Sequence, residues 1–316
     1  MEPTILVVGA TGNTGRGVVE TLSELLKPST TFSNHRVLAL TRSLSGTVAQ
    51  KFAQLPNVEV LEKNWVDITA DWLRQHNVVR AFIAAHNEPN QFSEESTFHV
   101  AALNAGVEYV VRISTTAANV RPDCPAYYPR THWAIESMLS SPEFQRLQWT
   151  SLQPNIFSPL YLYPAAELVK SFRQTGKPHT LKLIASEDAA VGIIDPFEVG
   201  YLAAHLLTAE DVKPHDRAKY VLNGPEDVTG RQIVGMVEKS LGTRVEDVQF
   251  KDVSFVEDMA AQSQQSKSVI RSIKYALETA WEGKCSTSTT SREIFDIFTP
   301  KVTLAESYKR LLEEED

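Results

Sequence analysis

The chain has 316 residues, 42% of them hydrophobic and 22% charged, which suits one large or two closely joined globular domains and excludes a disordered or fibrous chain. A net charge of −8, with no run of Lys and Arg, argues against a nucleic-acid surface. Only Cys124 and Cys285 occur, too few for a disulfide framework and not spaced as metal ligands, and no apolar run nears the ~18 residues of a membrane span, so a cytoplasmic chain with no metal and no membrane partner is expected.

Thr4 to Val8 is a short apolar run rich in β-branched residues, and Val18, Val19, Leu22, Leu25 and Leu26 follow at helical spacing. A strand starting at residue 4 leaves no room for a signal peptide. Gly9, Gly12 and Gly15 punctuate the join as G-x-x-G-x-x-G. A strand, tight turn and helix in this order aim the helix's unpaired N–H groups at the turn, and Gly9, Thr11, Gly12, Asn13, Thr14 and Gly15 are expected around the diphosphate of a dinucleotide.

A turn-rich connection from Lys27 to His35 leads to a second strand from Arg36 to Arg42. The residue ending this strand meets the adenosine ribose; an acid there suits NAD and an arginine suits the 2′-phosphate of NADP. Arg42 occupies the position and no acid occurs between Arg36 and Lys51, so NADP(H) is preferred over NAD(H). A polar helix to Leu55 and a strand over Val58 to Leu61 place Asn64 and Trp65 where an adenine edge and face are met, or where Trp65 simply packs. The next strand, Val78 to Ala85, ends in small residues that leave room for the nicotinamide ribose, with His86 either at the cofactor or idle in a loop. A helix around Ser96 to Ala105 and a strand from Val107 to Thr116 complete five strand-like runs alternating with helices, which predicts an α/β doubly wound parallel sheet of Rossmann type with ligands off its carboxyl ends. Ser114 and Thr115 lie at such an end, to anchor a substrate carbonyl or to cap a loop.

The glycine turn, Arg42, Arg112-Ile113-Ser114-Thr115, Arg130 to Glu136, Gln153 to Phe157 and Leu222 to Glu226 together resemble the NmrA-like family, atypical short-chain dehydrogenases, from residue 4 to roughly 250 and most closely its fungal members. The resemblance implies a Rossmann-type fold holding NADP(H). Ordinary members of the superfamily use Tyr-x-x-x-Lys, whose lysine binds the nicotinamide ribose and lowers the tyrosine's pKa. If Tyr128 matches that tyrosine, His132 stands in the lysine's place. A histidine of ordinary pKa is charged about a tenth of the time at about pH 7.4, so it can donate to the ribose but activates a phenol weakly. Relatives include NAD(P)H reductases of carbonyls, quinones, alkenes or imines, non-catalytic NADP(H)-sensing regulators that act through a protein partner, and enzymes of specialised metabolism that use the bound cofactor in net non-redox cyclisations or isomerisations. The first reading takes a small hydrophobic substrate and makes Tyr128, His132 and Ser114 candidate proton donors or carbonyl anchors; all three readings stay open here.

Trp149 to Pro154 reads as a sixth strand, followed by a loop from Asn155 to Pro159 lying against the nicotinamide, where Pro154, Asn155 and Phe157 resemble cofactor-facing family positions. From Leu160 to Ala190, Tyr161-Leu162-Tyr163, an amphipathic helix and Gly176-Lys177-Pro178 are expected to form a mobile substrate wall. Asp195 caps a helix starting near Pro196, Lys219 to Leu222 is a strand, Thr229 and Gln232 open a helix as a capping pair, Ser286 to Ser291 is a polar loop, and a strand and at least two helices fill Val245 to Glu315. The expected organisation is a nucleotide-binding domain over 1–155, rejoined by 190–228, and a smaller mixed α/β substrate and lid domain over 156–189 and 229–316.

Overall fold

The computed structural model describes residues 2–27, 31–177 and 179–313; positions 28–30 of the predicted connection, Pro178 of the predicted substrate wall and the helix end expected near Glu315 lie outside them. Strand and helix alternate through β1 (Thr4–Val8), α1 (Asn13–Leu25), β2 (Arg36–Thr41), α2 (Thr47–Phe52), β3 (Val58–Glu62), α3 (Ala70–Gln75), β4 (Val78–Ile83), α4 (Gln91–Ala105), β5 (Tyr109–Ile113), α5 (Tyr127–Leu139) and β6 (Gln148–Pro154). Then come β7 (Ile156–Phe157), α6 (Ser158–Thr175), β8 (Leu181–Leu183), β9 (Ile193–Ile194), α7 (Pro196–Leu207), β10 (Ala218–Leu222), α8 (Gly230–Leu241), β11 (Val248–Phe250), α9 (Phe255–Gln262), α10 (Lys267–Arg271), α11 (Glu278–Trp281) and α12 (Leu304–Glu313).

Seven strands form one parallel sheet in the order β10-β6-β5-β4-β1-β2-β3, so the winding direction reverses between β1 and β4, where Val8 pairs with Ile83. In an open sheet of this kind the crevice off the carboxyl ends at the reversal is where ligands bind. Every residue of β1 is buried, as expected of a strand covered on both faces.

Helices α1 and α7 cover one face, and their approach needs glycine. A Cβ on Gly17 would stand 2.4 Å from the Phe197 carbonyl oxygen, and one on Gly200 2.2 Å from that of Thr14. The other face is closed by α4 and α5 through Phe98, Ala102, Ile135 and Leu139, and Trp149 Nε1 donates to the Leu139 carbonyl at 3.1 Å. A separate apolar cluster draws on α6, α8 and α12 and on β8 and β11, with Leu162, Leu168, Leu183, Ile233, Val237 and Tyr308 among its members.

Three local expectations need correction. Helix α4 begins at Gln91, five residues before the expected Ser96, because the polar Gln91 and Glu95 are buried and pair at 2.9 Å one turn apart. The expected loop over 155–159 instead holds β7, which pairs with β9, and α6 starts at once at Ser158. Tyr161 and Tyr163 therefore lie on α6 rather than before it, Tyr161 buried and Tyr163 exposed. The caps follow the sequence: Asp195 accepts from the Phe197 amide at 2.8 Å, and Thr229 and Gln232 form a reciprocal capping box.

Candidate cofactor and acceptor site

Between β1 and α1 the chain turns through Gly9 at φ +78°, a conformation L side chains rarely adopt; a Cβ there would also stand 2.9 Å from the Ala84 carbonyl oxygen. A Cβ on Gly15 would lie 2.1 Å from the Gly9 carbonyl oxygen, so the helix can press onto its own turn only without one. The first intrahelical bond runs from Arg16 N to Gly12 O at 3.1 Å, so the amides of Asn13, Thr14 and Gly15 precede the ladder, with no side-chain cap and no acid in the first turn. Such donors at the positive end of a helix suit a diphosphate.

From this turn a groove runs along the sheet's carboxyl ends. A cavity of about 340 Å³ is lined by Gly9, Thr11, Gly12, Arg42, Lys63, Trp65, Ala84, Ala85 and His86, and a second of about 700 Å³ continues past Asn64. The exposed Arg42 has no protein partner among the described residues and lines both cavities. Lys63, which the sequence did not single out, lines both beside it, its ammonium over the Trp72 ring at 5.7 Å. Two cations here fit a ribose phosphate, and the partly buried Trp65 offers a ring face. Asn64 caps the turn by accepting from Val66 N at 3.4 Å. His86 is held in the wall by Glu94 and accepts from the Glu88 amide at 3.1 Å, so it is not idle.

The other end of the groove is a cavity of about 370 Å³ reached by Gly12, Asn13, Thr14, Ala85, Asn87, Ser114, Thr115, Tyr128, His132, Pro154, Asn155 and Phe157, with Leu160, Ala276 and Leu277 closing it. Tyr128 and His132 share one face of α5, ring centroids 6.4 Å apart. Burial pushes the Tyr128 phenol up to about 12, against the opposing pull of the Thr115 hydroxyl. Burial, reinforced by Arg112, takes His132 down to about 3. His132 is therefore neutral, which goes further in the direction the sequence indicated, a histidine that activates a phenol only weakly.

Arg112 dictates the tautomer. Its guanidinium has only donors, so the contact of 2.8 Å to His132 Nδ1 makes that nitrogen the acceptor. Nε2 then carries the proton and donates to Asn87 Oδ1 at 3.1 Å. The Tyr127 hydroxyl donates to the Asn87 carbonyl, so backbone and side-chain oxygen are both held, and the Asn87 NH₂ group stays unpaired among the described residues in the cavity wall. Behind it Arg112 donates to Glu95 at 2.7 Å and to Ser151 at 3.0 Å and lies 3.6 Å from Glu136, all fully or nearly fully buried. Burial, the largest single influence, would raise both carboxyls, but Arg112 together with His99 at Glu95, and with Ser151 and Lys219 at Glu136, outweighs it and holds each below its ordinary value.

Ser114 is buried at the cavity's edge beside Glu136. Asn155 lines the cavity and is braced from behind, its Nδ2 donating to Thr289 Oγ1 at 3.2 Å beside Asn223. Sequence reasoning missed Asn87, Glu95 and Lys63, and also the segment from Met259 to Ile270, which faces Arg42 across the larger cavity. Lys63, one residue past β3, carried a readable signal, being a cation at a carboxyl end. Among the described residues no cluster suited to a metal occurs and no helix is long and apolar enough to cross a membrane.

The family model described as "NmrA-like family" matches residues 1–293. A (4-alkanoyl-5-oxo-2,5-dihydrofuran-3-yl)methyl phosphate reductase of Streptomyces griseus is 26% identical over 238 residues, 75% of this chain and 74% of the relative. The solved NADPH-dependent quinone oxidoreductase of Escherichia coli, complexed with NADPH, superposes with a TM-score of 0.70 at 21% identity, covering 97% of this chain and 99% of that one. NmrA, a negative transcriptional regulator solved with NADP, superposes at 0.62 with 14% identity, covering 99% and 91%. These structural likenesses establish the shared fold.

Proposed function

Given that this chain belongs to the NmrA-like family, we propose that it binds NADPH along the groove and reduces a small, uncharged, conjugated acceptor such as a quinone or an enone. The observation that carries the reading is one continuous groove whose middle offers unpaired helix amides, whose one end holds Arg42 and Lys63, and whose other end holds hydroxyl and amide donors with no charged side chain in its wall. Cations at the first end match a phosphorylated ribose. The second end suits a neutral ring.

In this reading the amides of Asn13, Thr14 and Gly15 hold the diphosphate, Arg42 and Lys63 the 2′-phosphate, and Trp65 the adenine. The bound cofactor supplies a hydride. The Tyr128 hydroxyl and the Asn87 NH₂ donate hydrogen bonds to the acceptor oxygen where negative charge develops, and Ile113, Phe157, Leu160 and Leu277 keep water from it. His132 acts through Asn87 by fixing which end of the amide faces the cavity. The segments 156–189 and 229–316 serve as substrate and lid domain, contributing Ile156, Phe157 and Leu160 from the first and Ala276 and Leu277 from the second to the wall.

The missing cation beside Tyr128 also favours a second reading, an NADP(H)-responsive regulator without turnover that acts through a protein partner. Fluorescence titration with NADPH and NADH, followed by absorbance decay of NADPH with quinones, enones and imines, separates the two. Steady oxidation supports the reductase; tight binding with no oxidation across the panel supports the regulator; binding of neither coenzyme overturns both.

A further inference from the structure

A cavity of about 400 Å³ lies on the far side of the glycine turn, where the amino ends of α1, α6 and α7 meet α12. Asn13 is the one lining residue it shares with the acceptor end of the groove. Its polar walls are Arg16, Ser158, Tyr163, Asp195, Ser307 and Arg310.

The hydrogen-bond inventory of this cavity is one-sided. Asp195 is its one acid, and both its oxygens are taken, one by the Phe197 amide at 2.8 Å and one by Arg310 at 2.6 Å. Arg16 spends Nε on the Thr11 carbonyl at 3.1 Å, and among the described residues its two terminal amino groups have no partner. Arg310 keeps the donors not used on Asp195. Ser158 and Ser307 are 3% and 7% exposed, yet neither hydroxyl has a protein partner among the described residues. Both hydroxyls line the cavity and stay available to a ligand atom there. Among the lining residues two guanidinium groups face one carboxylate, with Glu198 and Glu306 outside the lining but within electrostatic reach of Arg310, and α6 begins here with no side-chain cap. A pocket rich in spare donors, with its one carboxylate already used, selects an anion.

We propose that this cavity binds a phosphoryl or carboxylate group between Arg16 and Arg310, at a site distinct from the cofactor groove. The group belongs either to a free anion or to the tail of an acceptor whose neutral ring lies beyond Asn13. The site does not depend on turnover, so the first arm of the test is binding. Inorganic phosphate is titrated calorimetrically at low ionic strength into the full-length protein saturated with NADPH, and again without NADPH. Saturable binding that persists with NADPH present and weakens at least tenfold in both Arg16→Gln and Ser307→Val is expected, with the NADPH affinity of both variants serving as the check on folding. No saturable binding, or binding that NADPH abolishes or that both variants leave intact, overturns the proposal. The second arm compares kcat/KM for 2-methyl-1,4-naphthoquinone with and without a propionate side chain. A preference for the tailed acceptor that Arg16→Gln removes assigns the site to the substrate; equal rates alongside saturable phosphate binding assign it to a free anion. If no acceptor is reduced, the reductase reading fails while the phosphate arm still decides the site.

Discussion

His132→Gln tests the buried network through its pH dependence. A glutamine can offer Arg112 an acceptor oxygen and Asn87 a donor N–H, as the neutral imidazole does, but it does not titrate. The native imidazole is held down to about 3 from an unfolded value of 6.5. Between those values the unfolded chain carries a proton that the folded chain does not, so stability rises with pH across the window and is lost as pH falls from 6.5 toward 3. Each unit within the window is about 1.4 kcal/mol, so at pH 5 the wild type loses about 2 kcal/mol through this one group. His99 is lowered by burial in the same sense but titrates in both proteins, so the difference between them isolates His132. Urea unfolding followed by circular dichroism at pH 7.5, 6.5, 5.5 and 5.0 should show two similar proteins at the highest pH and a variant about 2 kcal/mol more resistant than wild type at the lowest. Parallel pH profiles would refute the buried neutral imidazole and the tautomer argument built on it.

Arg42→Ala should weaken NADPH binding by about tenfold or more and leave NADH nearly unchanged, since a guanidinium-to-phosphate contact is worth ~1.5–3 kcal/mol; fluorescence titration of both coenzymes checks it. Asn87→Asp keeps an oxygen for His132 and removes both N–H donors, and with a quinone acceptor kcat should fall about 100-fold while KM changes little, the signature of a donor that matters mainly in the transition state. Tyr128→Phe should behave alike, and if either variant raises KM alone its donor serves ground-state binding instead. Gly200→Ala puts a methyl group 2.2 Å from the Thr14 carbonyl oxygen; parting α7 from α1 should cost about 1–3 kcal/mol in urea unfolding and weaken NADPH as well, because the displaced turn carries the diphosphate amides.

The sheet was legible because a parallel strand buried on both faces writes itself as an apolar run, as in β1 and β2, and in β4 the run is broken only by Arg80. The glycine turn was legible because its spacing is local. What the sequence hid is what depends on contacts between distant segments. Glu95 looks like a surface residue on a polar stretch, and only the folded chain sets it 2.7 Å from Arg112 on the neighbouring strand. The role of Asn87 follows from a histidine 45 positions later, and the tautomer of that histidine from an arginine on β5. Gly17 and Gly200, 183 positions apart by subtraction, tell nothing singly. Segment 259–270 reads as amphipathic packing, and its place opposite Arg42 is a matter of tertiary path alone.

On the proposed reductase reading, a histidine where ordinary superfamily members carry lysine bears on what the pocket would reduce. A lysine beside the tyrosine lowers the phenol and lets it pass its proton to an alkoxide. Here the positive charge stands one layer deeper, on Arg112, where Glu95 and Glu136 already face it, so nothing cationic is left at the surface of the cavity. Burial moves Tyr128 up to about 12, so in the proposed reading it would serve as a neutral hydrogen-bond donor in place of an activated acid. A simple ketone becomes, on hydride addition, a strongly basic alkoxide that needs a ready proton as it forms. A quinone or an enone becomes a delocalised phenolate or enolate that two neutral donors can hold until water supplies the proton. The same substitution that weakens the pocket for alcohol chemistry therefore suits it to conjugated acceptors, and a panel in which saturated ketones are reduced faster than quinones would break the link between the neutral His132 and the choice of substrate.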